Sequence, residues 1–559
     1  MAVPPIQAAG FRSLGRVNRL PLVLDVIVGL LTAVALPLAI VTIPNTISVV
    51  SALLPPELAG VGILRAHGLA LPVMLCTVPL AGAVLRRFQA APILVAGLAL
   101  LAAADVAGGF AGSTFGVGAL RVLHGVGAGM LVPATFAASW ERPGAARGVL
   151  VPVWAGALAV SLLGAQALAL WPLDDVTSWR VTLQPYPLLT GLALALAAVY
   201  FVLSRLTGET ADARAAETAR GHLVLAAGPS VGIAVLAFGT TFNWPSGLIV
   251  AAAGLALVML LAMSCAGRIE GPGGRALAFV MVAVGLVVLP TAAQVTYVEL
   301  GGLGGPGLSG MWAPFGLAAV IAFAAALVTG RMSEALVPRL VGGGLVTMVV
   351  GLCAVRLFVP APSGLPLVLP FTLLTAGAAV AVTSALRGAG LRAALFGLSL
   401  CFPAVLSGFL LGTGIQVDRL RAVSSSGRVT SQAMVDGFVG ALHIWALVAG
   451  FAVVVVLAAG AVLARRSPEE SPASSGALLT TPSPLGERIA PRGTTTGETT
   501  TRKAGGERSP GDPGAPPPGD PGDPGDTGDP GTAMIPVVPP PARSPEATTG
   551  EDGQGPAAR

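Results

Sequence analysis

Long apolar runs separated by short clusters of arginine, glycine and proline dominate the chain. Runs of spanning length occupy residues 21–44, 60–85, 89–110, 114–136, 148–171, 184–204, 222–241, 245–266, 276–298, 309–329, 340–359, 365–386, 393–415 and 437–464. A transmembrane helix needs about 20 mostly apolar residues. The pattern therefore predicts an all-α polytopic membrane protein with fourteen spans, numbered 1 to 14 in chain order.

The arginines between the runs orient them, because positive charge in short loops is retained in the cytoplasm. With the N-terminus inside, the cytoplasmic side collects residues such as Arg86, Arg87, Arg142, Arg147, Arg205, Arg268, Arg331, Arg387 and Arg465, whereas the outside collects Arg180, Arg419, Arg421 and Arg428. Both termini are expected in the cytoplasm. The segment "DRLRAVSSSGRVTSQAMVDG" between spans 13 and 14 reads as an outer loop that is basic against the rule.

Composition agrees with this reading. The 559 residues are 54% hydrophobic and 11% charged, with a mean hydropathy of +0.81, far from a soluble domain. Cys76, Cys265, Cys353 and Cys401 all fall inside apolar runs, where they act as small hydrophobes and form no disulfide framework. Residues 1–20 are polar and basic and lead into a full-length span, so no cleavable signal is expected. A single lysine, Lys503, against arginine elsewhere suggests a GC-rich coding bias, and hence the inner membrane of such a bacterium.

Six regions follow. They are a cytoplasmic N-terminus (1–20), a first six-helix bundle (21–204), a cytoplasmic linker (205–221), an inserted helix pair (222–266), a second six-helix bundle (276–464) and a tail (465–559). The tail is rich in Pro, Gly, Ser and Thr and buries too little apolar surface to offset chain entropy, so it reads as disordered. Its "GDPGDPGDTGDPG" is too short and too acidic for a collagen strand and reads as linker.

Polar residues inside the spans carry the candidate chemistry. A charge at the bilayer centre costs about 2.5–3.5 kcal/mol on insertion scales, so Arg121 in span 4 needs a partner, a route to water or a purpose. It lies about 10 Å of helix from the outer end. Span 3 brings Asp105, and span 2 Arg65, to a similar depth. Two readings stay open: an ion-paired network in the outer third of the membrane, or side chains that reach separately to the interface. Asp25, near the inner end of span 1, is a further proton carrier or an interfacial carboxylate. Arg356 reads as an outer-edge snorkeller and His443 as a packing or interfacial histidine.

Gly125 and Gly129 in span 4, and Gly156 and Gly164 in span 5, are small residues at spacings that let helices approach. Gln166, Gln294, Thr291, Thr296 and Tyr297 are cavity candidates or interhelical hydrogen bonders. No phosphate-binding loop of the G-x-x-x-x-G-K-[ST] type occurs, which argues against a built-in ATP motor. Four histidines with no Cys/His cluster argue against a metal centre. Scattered outer acids such as Asp174, Asp175 and Asp418 do not make an acid/base site. No enzyme activity, cofactor or nucleic-acid partner is expected. The partners are the bilayer, protons and a small-molecule substrate, with the protein a monomer.

The stretch "RVLHGVGAGMLVP" resembles the fourth-span signature of the major facilitator superfamily, in particular the fourteen-span drug:proton antiporters. Arg121, Gly125, Gly127, Gly129 and Pro133 match, and His124 stands where that pattern has glutamine. Gly82, Arg87 and Phe88 match the loop after span 2, with Arg86 in place of an aspartate; Gly156 and Gly164 keep the span 5 spacing, but Val160-Ser161 replaces its Gly-Pro. "SWR" (Ser178 to Arg180) and "VALP" (Val34 to Pro37) are similar to shorter motifs of the same family. The resemblance implies two six-helix bundles around a central cavity, two inserted helices, and alternating access by rocking of the halves. It also implies proton coupling at the span 4 arginine.

The leading expectation is a proton-coupled exporter of amphiphilic or drug-like molecules. Asp105 or Asp25 would carry the proton beside Arg121, and Gln166, Gln294 and His124 would line the substrate cavity. Two other readings remain: a fourteen-span flippase for lipid-linked precursors, and a membrane scaffold or sensor acting through its tail.

Overall fold

The computed structural model describes residues 20–173, 176–207, 222–239, 245–270, 273–300, 305–425 and 430–465. The N-terminal segment, most of the 205–221 linker, Asp174, Asp175, Arg428 and all but the first residue of the tail lie outside the described residues.

Apolar runs become helices because a backbone without water must satisfy its N–H and C=O groups internally. The described helices are α1 (Leu20–Val41), α2 (Val61–His67), α3 (Ala70–Leu85), α4 (Ala90–Gly108), α5 (Thr114–Glu141), α6 (Gly144–Leu170), α7 (Pro187–Leu206), α8 (His222–Gly239), α9 (Ser246–Ala266), α10 (Gly274–Glu299), α11 (Gly307–Arg331), α12 (Val337–Phe358), α13 (Val368–Arg387), α14 (Leu391–Ser425) and α15 (Ser431–Arg465). Among the described residues, thirteen elements are long and apolar enough to cross a membrane, with α2 and α3 counted together. The seventh run, α8, has a shorter apolar core over Ala227–Ala237.

Two runs differ from expectation. Span 2 is broken: Gly68 ends α2 with its N–H on the Leu64 carbonyl, and α3 then starts with Pro72 in its first turn, where the missing N–H costs nothing. Most of the basic outer loop is helix, since α14 continues through Ser425 and α15 begins at Ser431. Ser246, at the start of α9, donates to Asp418 at 2.6 Å and accepts from Arg421 at 3.1 Å. The Asp418 carboxylate thus sits beside the arginine that made this segment look out of place.

The packing repeats itself. Within the first set, α1 packs on α5 and α6, and α5 on α3 and α4; within the second, α10 packs on α13 and α14, and α13 on α11 and α12. Counting α2 and α3 as one helix, both sets pair their first helix with the fourth and fifth, and their fourth with the second and third. The contacts between sets are reciprocal too: α6 meets α11, and α14 meets α3. Helices α8 and α9 pack beside this second seam, α8 on α3 and α14, and α9 on α14 and α10.

Glycine sets the spacing at both third-to-fourth crossings. A Cβ on Gly127 would lie 2.8 Å from the Gly97 carbonyl oxygen; one on Gly344 would lie 2.6 Å from that of Gly377. Gly125 and Gly129 lie one turn apart against α3, where added Cβ atoms would meet the Ala70 carbonyl oxygen at 2.5 Å and Thr77 Cβ at 2.6 Å. Backbones this close are the packing device of helices that have no hydrophobic drive toward one another. Gly156 likewise faces Phe323 of α11, whereas Gly164 meets only Leu168 of its own helix, at 3.7 Å. The span 5 pair is therefore not one continuous contact face.

Gly127→Ala is expected to lower the thermal midpoint of the detergent-solubilised protein, at an overpacking cost of about 1–3 kcal/mol. Gly164→Ala is expected to stay within about 0.5 kcal/mol of wild type. Fluorescence-detected size exclusion after heating checks both.

Candidate functional site

Along α4, Gly97, Leu101 and Asp105 recur every fourth residue and so share one face. That face meets Leu131, Gly127 and His124 of α5 in turn: Gly97 sits against Leu131 and Gly127, Leu101 against Gly127, and Asp105 against His124. The glycine crossing thereby places a carboxylate and an imidazole together inside the bundle, with Asp105 5% and His124 2% exposed.

His124 Nδ1 lies 2.9 Å from the Leu120 carbonyl oxygen and Nε2 lies 3.1 Å from Asp105 Oδ1. A neutral ring carries one hydrogen and donates to one of these two acceptors, whereas imidazolium donates to both.

Arg121, one turn before His124 on α5, is also buried. Its Nε donates to the His67 carbonyl and its Nη2 to the Thr42 carbonyl, both at 2.8 Å. Each charged hydrogen bond of this kind contributes about 1.5–3 kcal/mol, and the two clamp the end of α1 and the break between α2 and α3 onto α5. The expected Asp105–Arg121 ion pair is therefore replaced: Asp105 bonds His124, and Arg121 bonds main chain. The cause is reach, since His124 lies on the α4 face of α5 while Arg121 points toward the chain between α1 and α3.

Two cavities adjoin this cluster. The smaller, about 30 Å³, is lined by Asp105, Arg121, His124, Thr42, Pro44 and Tyr186 among others, and has room for water. The larger, about 330 Å³, is walled by the α1–α2 connection, α3, α6, α8, α10 and α14, with Arg65, Asn45, Gln166 and Tyr297 among its lining. Pro44 lines both. Gln166 donates to the Tyr297 hydroxyl at 3.2 Å and joins α6 to α10.

The remaining sequence candidates separate by place. Asp25 does not belong with Arg121. It lies near the opposite end of α1, where its Oδ1 accepts from Arg142 Nε at 2.6 Å; Arg142, 2% exposed, also donates to the Pro21 carbonyl. Glu141 beside it accepts from the Ala90 N–H that opens α4. Arg65 lines the larger cavity, apart from the Asp105–His124 pair. His124 belongs to the smaller cavity, not to the larger one. Gln294 lines neither: its buried amide packs against Gly412 of α14, with no hydrogen-bond partner among the described residues. Thr291 accepts from Trp445 at 3.0 Å, Thr296 donates to its own helix, and His443 lies 3.1 Å from the Val359 carbonyl. Among the described residues, no group of three or more His, Cys, Asp or Glu gathers as metal ligands would.

Sequence reading overlooked His67 and Arg142. His67 is fully buried beside Arg121. Its signal was a polar ring next to Gly68 within an apolar run. Arg142 read as an ordinary loop charge, and Pro143 directly after it, which ends α5, was the sign that it sits against the bundle.

No family model matches the chain, and no curated protein matches it. Solved structures align over most of its length. The xylose transporter XylE from E. coli, in a partially occluded inward-open conformation, is 13% identical with a TM-score of 0.45, over 80% of this chain and 99% of that one. A peptide transporter POT crystallised with sulfate is 14% identical with a TM-score of 0.48, over 80% of this chain and 95% of that one. At such scores the likeness decides nothing about this chain.

Breaking the half-buried Asp25–Arg142 pair by Arg142→Met is expected to cost about 1–3 kcal/mol, the Asp25 carboxylate being partly open to solvent. The Asp25→Asn/Arg142→Met double variant is expected to melt no lower than Arg142→Met alone, because the Asp25→Asn change leaves no stranded charge. Thermal midpoints of the four proteins of the cycle check this coupling.

Proposed function

We propose that this chain is a proton-coupled secondary transporter that exports small amphiphilic or drug-like molecules. The recurrent helix sets (21–204 and 276–464) are its two halves, and α8 and α9 are a pair inserted between them. The observation that carries this reading is the Asp105–His124 contact, an acid and an imidazole brought together inside the bundle and both buried.

The neighbours of that contact supply a route from proton to cavity. While the proton is held, Asp105 ties α4 to α5 and Arg121 keeps its grip on the Thr42 and His67 carbonyls. When an imidazolium here gives up a proton, the one hydrogen left on the ring serves either the Leu120 carbonyl or Asp105, and a carboxylate so released faces the small cavity that Arg121 also lines. A carboxylate competes with a backbone carbonyl for guanidinium. Arg121 turning to Asp105 frees Thr42, and with it Pro44 and Asn45, which line the larger cavity. Protonation thus changes the wall that a substrate touches. The outward direction rests on the likeness of the Arg121–Pro133 stretch to antiporters.

Cells expressing wild type, Asp105→Asn, His124→Gln or Arg121→Ala at matched membrane levels are to be loaded with fluorescent lipophilic anions, neutral compounds and cations, with and without an uncoupler. Wild type is expected to lower accumulation of at least one compound, and the uncoupler, Asp105→Asn and His124→Gln each to abolish that difference. Efflux that survives both the uncoupler and Asp105→Asn overturns the proton-coupled reading; no response to any compound overturns export.

A further inference from the structure

We infer that the contact between Trp171 and Trp312 is a lock between the two helix sets, one that opens and closes during transport. The inference rests on the transporter reading and names a gate for it. The two rings stand on different sets: Trp171 directly follows the last residue of α6, and Trp312 lies in the second turn of α11. Their centroids are 4.5 Å apart with the planes inclined at 45°. Trp171 is 52% exposed and so meets its partner at the rim of the seam. From Trp312 the ring contacts run inward, to Phe315 at 6.0 Å and from there to Phe371 of α13, stacked at 4.7 Å; both phenylalanines are buried. Trp312 is thus anchored in the core of its own set, and Trp171 leans on it from the other.

The two ends of the seam between α6 and α11 are built differently. At one end the helices approach through glycine: a Cβ on Gly330 would lie 2.5 Å from Pro152 Cγ, and one on Gly156 would lie 2.9 Å from Phe323 Cδ1. At the other end long side chains reach across, Trp171 to Trp312 and Gln166 of α6 to Tyr297 of α10. Two bodies that rock stay together where their helices are closely packed and part where side chains bridge them. The end of α6 that bears Trp171 also touches both cavities. Gln166 lines the larger and Ala169 the smaller, and Tyr186, which lines the smaller as well, donates to the Leu168 carbonyl at 2.6 Å. A change in either cavity therefore acts on the helix end that carries the lock.

The test places bimane, a fluorophore that tryptophan quenches on contact, on Trp171→Cys in the full-length protein in phosphatidylcholine nanodiscs, with the four native cysteines replaced by alanine. Two lifetime populations are expected, a short one quenched by Trp312 and a long one with the lock open, and Trp312→Phe is expected to remove the short one. Gln166→Leu takes away the neighbouring tie between the sets and is expected to raise the long-to-short ratio about two- to tenfold. If Trp171→Cys fails to fold, bimane on Trp312→Cys read against Trp171 measures the same contact. In cells, joining the Trp171→Cys/Trp312→Cys pair with a short bifunctional methanethiosulfonate is expected to stop dye efflux, and dithiothreitol to restore it, while the monofunctional reagent leaves efflux by that double variant unchanged.

A single quenched population that Gln166→Leu leaves unchanged makes the pair a fixed packing contact and overturns the inference. So does a lifetime that is long whether or not Trp312 is present, or efflux that continues through the cross-link. The lifetimes need no transport. Two populations that answer to Gln166→Leu, without uncoupler-sensitive efflux of any compound by wild type, would sink the transporter reading alone. Uncoupler-sensitive efflux by a protein whose pair is cross-linked or always quenched would sink the lock alone.

Discussion

The close approach of α4 and α5 is the constraint on which the site depends. With Gly97 and Gly127 in contact, the two backbones come near enough for the next positions along the seam to meet side chain to side chain. Leu101 fills the step beyond the crossing, and Asp105 and His124 close the seam as it opens. A methyl group at the crossing would push the helices apart at its narrowest point. The equivalent crossing of α12 and α13 uses Gly344 and Gly377 in the same way, yet no acid–histidine pair follows it among the described residues. The spacing is therefore common to both halves of the fold, and the ionisable pair belongs to one.

Much of the architecture was legible in the sequence because spanning helices answer to a single constraint. A backbone in hydrocarbon must bond to itself, so each apolar run of sufficient length had to be a helix, and each of the fourteen runs has its helix in the structure. The departures are local. Gly68 and Pro72 divide span 2, and Asp418 and Arg421 look like loop charges until Ser246 is seen between them. Apolarity predicts helix well and predicts helix ends poorly, because a helix continues past the hydrocarbon as long as its polar side chains find partners.

The site was legible only in part, and the reason is angular. The positions of Asp105 and Arg121 along their helices followed from counting residues, but their pairing depended on which face of each helix looks at which neighbour. His124, three residues past Arg121, points about 60° away from it around the helix, since each residue turns about 100°; it therefore takes the carboxylate while Arg121 looks toward α1 and α3. Asp25 illustrates the same limit. Its partner, Arg142, lies at the far end of α5 and was counted among the loop arginines. Gln294 shows a third case: a polar residue in a span that packs against a glycine and lines neither of the two cavities described.

Ties at opposite ends of α5 give the cluster its mechanical sense. At one end Arg142 fixes α5 to α1 through Asp25, and Glu141 fixes it to α4 through Ala90. At the other, Arg121 fixes α5 to the end of α1, and His124 fixes it to α4. The same three helices are joined twice, and the two junctions differ in chemistry: the first is an Arg–carboxylate contact at 2.6 Å, whereas the second pairs a carboxylate with an imidazole, whose neutral ring has one hydrogen to divide between Asp105 and the Leu120 carbonyl. The segment Ile43 to Asn45 lines the larger cavity, and Pro44 within it lines both cavities. A short stretch of backbone, held at Thr42 by Arg121 and stiffened at Pro44, where φ is fixed by the ring, thus joins the Asp105–His124 cluster to the larger cavity.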